Sequence, residues 1–204
     1  MRTRLTFSDL HRLFCMGLPP LTRVAHQWLS SHLAQGHRVV DATAGNGHDT
    51  VFLADQVAPT GTVVAFDVQP KACSATARRC ETEGLSDVVT IHLAGHEEMA
   101  AYVQAPVHAA TFNLGYLPGH DASRITRPDT TCAALDAACT LMTDGGVITV
   151  LAYRGHEGGQ AEAEAVKHWI DARTDSLRVM QCHLYSATAN APLLWGLQVA
   201  PSSS

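Results

Sequence analysis

The residues with the clearest chemical use lie at 41–50, where DATAGNGHDT follows the apolar pair Val39 and Val40. A short apolar strand ending on Asp41, a turn in which Gly45 and Gly47 flank Asn46, and a helical pattern from His48 predict one strand–turn–helix unit. Glycine takes positive φ and carries no Cβ, so the backbone at Gly45 and Gly47 can turn sharply and let a nucleotide lie against it. Asp41, at the strand end, should aim its carboxylate at whatever sits over that turn. An acid there suits a cation, such as the amino group of S-adenosylmethionine, better than a pyrophosphate. A dinucleotide fingerprint would also want a third Gly or Ala, and position 50 is Thr. A plain glycine turn between a core strand and a helix is the alternative.

A second acid strengthens the first. Asp67 closes the β-branched stretch TVVAFD and lies 20 residues beyond Gly47, the spacing at which a second-strand carboxylate meets the ribose hydroxyls of an adenosine. His96 and Glu97 follow the third apolar stretch, where a loop would approach the same ligand; a satisfied surface histidine is the competing reading. Asn113 ends the fourth stretch and opens NLGYLPG. That segment resembles the Asn-Pro-Pro-Tyr loop of methyltransferases acting on amino nitrogens, with Leu114 and Gly115 in place of the two prolines. In that arrangement the Asn113 amide oxygen and the Leu114 carbonyl accept hydrogen bonds from the target amine, and Tyr116 packs on its ring. Methyl transfer from a sulfonium is an in-line displacement, so alignment and desolvation supply most of the rate. Tyr153 and His156 fall at the next strand end and are candidates to take the amine's proton, with structural roles as the alternative.

The elements that position these groups follow from periodicity. Strands are expected at Val39–Asp41, Thr62–Asp67, Val88–Leu93, Val107–Asn113, Val147–Tyr153, Leu177–Tyr185 and Leu193–Val199. Helices are expected from Pro20 towards Gly36, from His48 to Val57, from Pro70 to Gly84, from Thr130 to Leu141 and from Gln160 to about Ala172. Alternating strands and helices with two closing strands give an α/β fold: a mainly parallel seven-stranded sheet, helices on both faces and an antiparallel closing hairpin. Ligands in such sheets bind outside the carboxyl ends of the strands, and every candidate above falls at such an end. Residues 1–19 read as an extension, and 20–200 as a single domain.

Composition narrows the function class. Of 204 residues, 46% are hydrophobic and 16% charged, as in an ordinary globular protein. No apolar run reaches the ~20 residues that span a bilayer, and no signal peptide is legible, so a cytoplasmic location is expected. Cys15, Cys73, Cys80, Cys132, Cys139 and Cys182 form no CxxC pattern and read as buried reduced thiols. The 12 histidines include one HxxxH, His92 and His96, but no HExxH, and the rest are scattered, so no metal site is expected. A net charge of −5 argues against a broadly basic nucleic-acid binder but leaves room for a local patch at Arg2, Arg4, Arg12 and Arg23, or at Arg124 and Arg127.

With these residues in place, the sequence resembles the rRNA methylase (YtqB-like) family of small class I methyltransferases, which includes enzymes acting on 5-aminomethyl-2-thiouridine at the tRNA wobble position. The likeness rests on DATAGNGHDTVFLA, FDVQ, GHEEM, FNLGYLPGHD, Thr130-Thr131, DGG, and YRGHEGG with the EAEAV after it. It implies a Rossmann-like class I fold and S-adenosylmethionine contacts from Asn46, Asp49, Asp67, Gln69, His96 and Glu97. It also implies a homodimer in several members, and a tRNA anticodon stem-loop meeting NLGYLPGHD and YRGHEGG. The chain departs from the family at Gly95, where Ser is usual, and at His120-Asp121-Ala122, where a lysine is missing; Arg124 is the candidate replacement for its phosphate contact. Another RNA or a small-molecule amine is the alternative acceptor. A nicotinamide-dependent oxidoreductase and a non-catalytic cofactor-binding protein are the alternatives of a different class.

Overall fold

The structure, a computed structural model, describes residues 18–115, 126–184 and 190–201. Seven strands form one sheet: β1 (Arg38–Asp41), β2 (Thr62–Asp67), β3 (Val89–Leu93), β4 (Val107–Leu114), β5 (Met142–Ala152), β6 (Leu177–Cys182) and β7 (Leu193–Val199). Among the described residues five α-helices accompany them: α1 (Leu21–Ser30), α2 (His48–Val57), α3 (Pro70–Thr82), α4 (Pro128–Leu141) and α5 (Gly159–Asp171). Spatial order is β3-β2-β1-β4-β5-β7-β6. The first five strands pair in parallel, and β7 lies antiparallel between β5 and β6. The seven-stranded sheet and its closing hairpin are those the element pattern predicts.

Both faces of the central strands are buried, because successive side chains point to opposite sides. Val40, Phe112, Ile148 and Val150 join the core that α4 and α5 cover with Leu135, Val166 and Ile170. Val39, Val63, Ala109 and Val147 join the opposite core, covered by Leu29 of α1 and by Leu53 and Val57 of α2. This two-sided burial explains why the strands read as apolar runs rather than alternating ones.

Boundaries differ from the sequence reading in a few places. Helix α1 ends at Ser30 and continues as turns to Gly36, whose φ is 86°. The predicted turn at Asp144-Gly145-Gly146 sits within the span of β5. There the register with β4 jumps from Val107↔Met142 to Ala109↔Val147, so the turn survives as a bulge, with Gly145 at φ 75°. Strand β6 stops at Cys182. Among the described cysteines none is disulfide-bonded, but only Cys80 is fully buried, a correction to the expectation of buried thiols; Cys73, Cys132, Cys139 and Cys182 are half-buried. Cys15 lies outside the described residues. Among the described residues no helix is long and apolar enough to cross a membrane.

Candidate functional site

The strand order reverses between β1 and β4, which run on either side of the switch point where doubly wound sheets bind ligands. Both strands are knitted together there. Ala42 N–H donates to the Thr111 carbonyl at 2.9 Å, and Asn113 N–H donates to Thr43 Oγ1 at 2.8 Å. A cavity of about 780 Å³ opens above these ends, a size that suits a nucleoside joined to a small amino acid.

The glycine turn forms one wall. Gly45 and Gly47 have φ of 55° and 78°, left-handed values that disfavour any residue with a Cβ. Helix α3 closes on the turn from behind: Arg79 Nε donates to the Asn46 carbonyl at 2.7 Å, and Thr76 Oγ1 donates to the Gly45 carbonyl at 3.1 Å. A Cβ on Gly47 would stand 2.8 Å from Thr76 Cα. Gly47 therefore serves packing against α3 and does not line the cavity, whereas Gly45 and Asn46 do.

Asp67 is held by two backbone amides, Gly45 N–H to Oδ2 at 2.9 Å and Gln69 N–H to Oδ1 at 2.8 Å. Each carboxylate oxygen keeps a second lone pair, enough for the two hydroxyls of a ribose. Gln69, His96 and Glu97 line the same end of the cavity. His96 is buried, its ring bonded through Nδ1 to the Ala42 carbonyl at 3.2 Å, and burial pushes its pKa down. It is a neutral polar wall rather than a cation.

Asp41 is placed otherwise than its position suggested. The side chain is fully buried and is absent from the cavity wall. It turns beneath the loop, where Thr50 Oγ1 donates to Oδ2 at 2.6 Å and Thr43 N–H donates to Oδ1 at 3.1 Å. Burial first, and then the neighbouring Asp49 charge, push its pKa up to about 7. In its place Asp49, in the first turn of α2, reaches the cavity. Its Oδ2 accepts from Asn113 Nδ2 at 2.5 Å, and its Oδ1 bonds His26 Nε2. Because the Asn113 amide nitrogen is committed to Asp49, the amide oxygen is the end left to accept from a ligand.

The acceptor side corrects two further expectations. Leu114 is fully buried and its carbonyl accepts Tyr153 N–H at 3.0 Å, so it serves the β4–β5 ladder. His156 bonds through Nδ1 to the Glu157 carbonyl and packs behind Gly115, outside the cavity wall; a Cβ on Gly115 would approach its Nε2 to 3.1 Å. Gly115, at φ 148°, and Tyr153 do line the cavity. Burial and then the Asp49 charge push the Tyr153 phenol above its ordinary pKa, keeping it protonated. Tyr116 and Arg124 lie outside the described residues.

Sequence reading missed His26, Thr22 and the support beneath Gly115. Thr22 and His26 lie one turn apart on α1, beside its buried Leu21, Ala25 and Leu29, and both face the cavity. Polar residues at i and i+4 flanking an apolar stripe were the available signal. Beneath Gly115, Thr126 Oγ1 accepts Gly115 N–H at 2.9 Å and donates to Glu162 Oε2 at 2.7 Å, while Thr131 Oγ1 donates to Oε1 at 2.6 Å. Glu162, from the first turn of α5, is only 1% exposed. This explains chemically why Thr131 and the EAEAV segment belong to the same pattern as the loop. Among the described residues no three His, Cys, Asp or Glu side chains cluster as a metal site would require.

The charged groups on the cavity wall are Asp49, Asp67 and Glu97 against Arg127, with three histidines. That balance fits a cationic nucleoside such as S-adenosylmethionine and disfavours a pyrophosphate.

Comparison with known proteins extends the geometry. Residues 63–198 match the family model described as "Putative rRNA methylase". The chloroplastic tRNA (mnm(5)s(2)U34)-methyltransferase of Arabidopsis thaliana is 37% identical over 170 residues, 78% of this chain and 62% of that protein. The chain thus spans less than two thirds of that relative's length. A protein of the same rRNA-methylase label from Clostridium thermocellum superposes with a TM-score of 0.87 at 36% identity, over 90% of this chain and 100% of that one. A Streptococcus mutans methyltransferase in complex with SAH gives 0.82 at 32% identity, over 90% and 99%.

Proposed function

The chain belongs to the rRNA methylase family of class I methyltransferases, and from that premise we propose that it uses S-adenosylmethionine to methylate an amino nitrogen of a modified nucleoside. The acceptor we propose is 5-aminomethyl-(2-thio)uridine at the wobble position, presented by a tRNA anticodon stem-loop. One observation carries the reading: Asn113, its amide clamped by Asp49, stands at the switch point in the same cavity as Asp67 and the glycine turn whose Gly45 amide that acid holds. Bound there, S-adenosylmethionine supplies an electrophilic methyl on a sulfonium.

The chain's residues do the rest. Asp67 and Gln69 hold the adenosine end, and the acid-rich wall favours the positive charge. The Asn113 amide oxygen accepts a hydrogen bond from the amine and turns its lone pair towards the methyl. Gly115 lines the cavity beside Asn113, and its missing Cβ leaves the room that His156 and Tyr153 take against it. Arg127, exposed on the rim and paired with Asp129 at 3.1 Å, is placed to meet a phosphate of the RNA. The names of the Arabidopsis relative and the SAH-bound Streptococcus protein support this assignment.

The test combines calorimetry with radiolabelled methyl transfer to an RNA hairpin carrying 5-aminomethyl-2-thiouridine. Asn113→Ala is expected to lower transfer about 100-fold or more while leaving S-adenosylmethionine affinity within a few-fold. Tight binding of NADH with none of S-adenosylmethionine would overturn the cofactor. Unchanged transfer by Asn113→Ala would overturn the acceptor loop.

A further inference from the structure

An aliphatic amine of the kind just proposed arrives at neutral pH as an ammonium ion, its pKa being near that of lysine at about 10.4. Its nitrogen has no lone pair until one proton leaves, so the site must hold a proton acceptor. Several groups in and around the cavity are unsuited to the role. Tyr153 is kept protonated by burial and by Asp49. His96 is bonded to the Ala42 carbonyl at the adenosine end. Asp49 bonds His26 with one oxygen and Asn113 with the other. His156 stands behind Gly115, off the cavity wall.

We propose that His26 of α1, backed by Asp49, is the catalytic base that takes the proton from the acceptor amine. The inference rests on the amine-methylation reading above. His26 lines the cavity, stacks flat on Phe52 with ring centroids 3.8 Å apart, and bonds Asp49 through Nε2. The stack fixes the plane of the imidazole and the carboxylate fixes its rotation. With Nε2–H donated to Asp49, Nδ1 carries the free lone pair. The same carboxylate holds Asn113, so the amide that receives the amine and the ring that deprotonates it are one side chain apart.

The step balances. One N–H bond of the ammonium breaks and its proton bonds to His26 Nδ1, leaving the electron pair on nitrogen. That pair then forms the N–C bond as the C–S bond breaks and its electrons pass to sulfur. Charge on the imidazolium is compensated by Asp49, as in other carboxylate–histidine pairs. The other titratable groups on the wall of the same cavity are His48 of α2, Asp67 of β2, His96 and Glu97 after β3, Arg127 before α4 and Tyr153 after β5, with Asp41 buried off the wall.

Purified full-length wild type, His26→Asn and His26→Ala are compared in single-turnover methyl transfer to the 5-aminomethyl-2-thiouridine hairpin from pH 6 to 10, with calorimetry of S-adenosylmethionine. A general base contributes on the order of 100-fold or more. The expected result is a loss of about that size at pH 7 that shrinks towards pH 10, where the amine deprotonates unaided, with cofactor affinity unchanged. If His26→Ala does not fold, the isosteric His26→Asn decides. Wild-type rates in a folded variant, or a deficit equal at every pH, would overturn the base. No transfer by wild type to this hairpin would instead overturn the acceptor reading, and this assignment with it.

Discussion

Asp41→Asn tests whether the first acid of the glycine-turn segment supports the fold rather than the ligand. In the unfolded chain an aspartate ionises near pH 4; in the folded chain burial and the Asp49 charge raise Asp41 to about 7. The folded state therefore holds the proton more tightly. That contribution to stability is fully present below about pH 3.9 and is lost as pH rises through about 7. A shift of about three units at about 1.4 kcal/mol each gives an upper bound of about 4 kcal/mol for the burden of the charged carboxylate above pH 7. Asparagine removes the charge and keeps the shape. Its oxygen can accept Thr43 N–H, and its amide can donate to Thr50 once that hydroxyl reverses. Urea unfolding of both proteins at pH 5 and pH 8 should show the variant gaining on wild type by about 3 kcal/mol between the two. A stability difference that does not change with pH, or that moves the other way, would refute the argument.

Gly47→Ala should destabilise the chain by about 2 kcal/mol more than Gly84→Ala in thermal or urea unfolding. Both glycines have left-handed φ, costing about 1 kcal/mol with a Cβ, but only at Gly47 does the new atom meet backbone, 2.8 Å from Thr76 Cα; nothing lies within 4 Å at Gly84. Equal losses would show that α3 does not brace the turn. Glu162→Ala should cost about 2–4 kcal/mol, since the buried Thr131 hydroxyl and the half-buried Thr126 hydroxyl lose their acceptor. Glu162→Gln should cost about 1 kcal/mol and weaken acceptor KM more than cofactor affinity, because Thr126 is the link from Glu162 to Gly115.

The order of strands and helices was legible because burial on both sheet faces writes itself as short apolar runs, and because Pro20, Pro70 and the glycines mark element ends. One wall of the cavity was legible for the same reason: Gly45, Asn46, Asp67, Gln69, His96 and Glu97 all stand at carboxyl ends of parallel strands, and all line the cavity. Placing a residue at a strand end does not, however, set the direction of its side chain. Asp41 points down because Thr50 offers a hydroxyl from the next helix and Thr43 an amide from its own loop. Leu114 gives its carbonyl to β5 because strand pairing takes the nearest donor.

Position along the sequence carries no information about partners that meet only when the chain folds. His26 is 23 residues from Asp49, and Asn113 is 64; Glu162 reaches across 36 and 31 residues to Thr126 and Thr131. Each contact depends on where α1, α2 and α5 settle against the sheet, which is decided by packing of Leu29, Leu53, Val57, Val166 and Ile170 rather than by the polar residues themselves. The sequence by itself determined the scaffold and the strand-end wall of the cavity, through local periodicity and backbone freedom. Tertiary structure alone decided which acid faces the ligand, which amide end is free, and which histidine stands beside it, because hydrogen-bond direction is settled by neighbours in space.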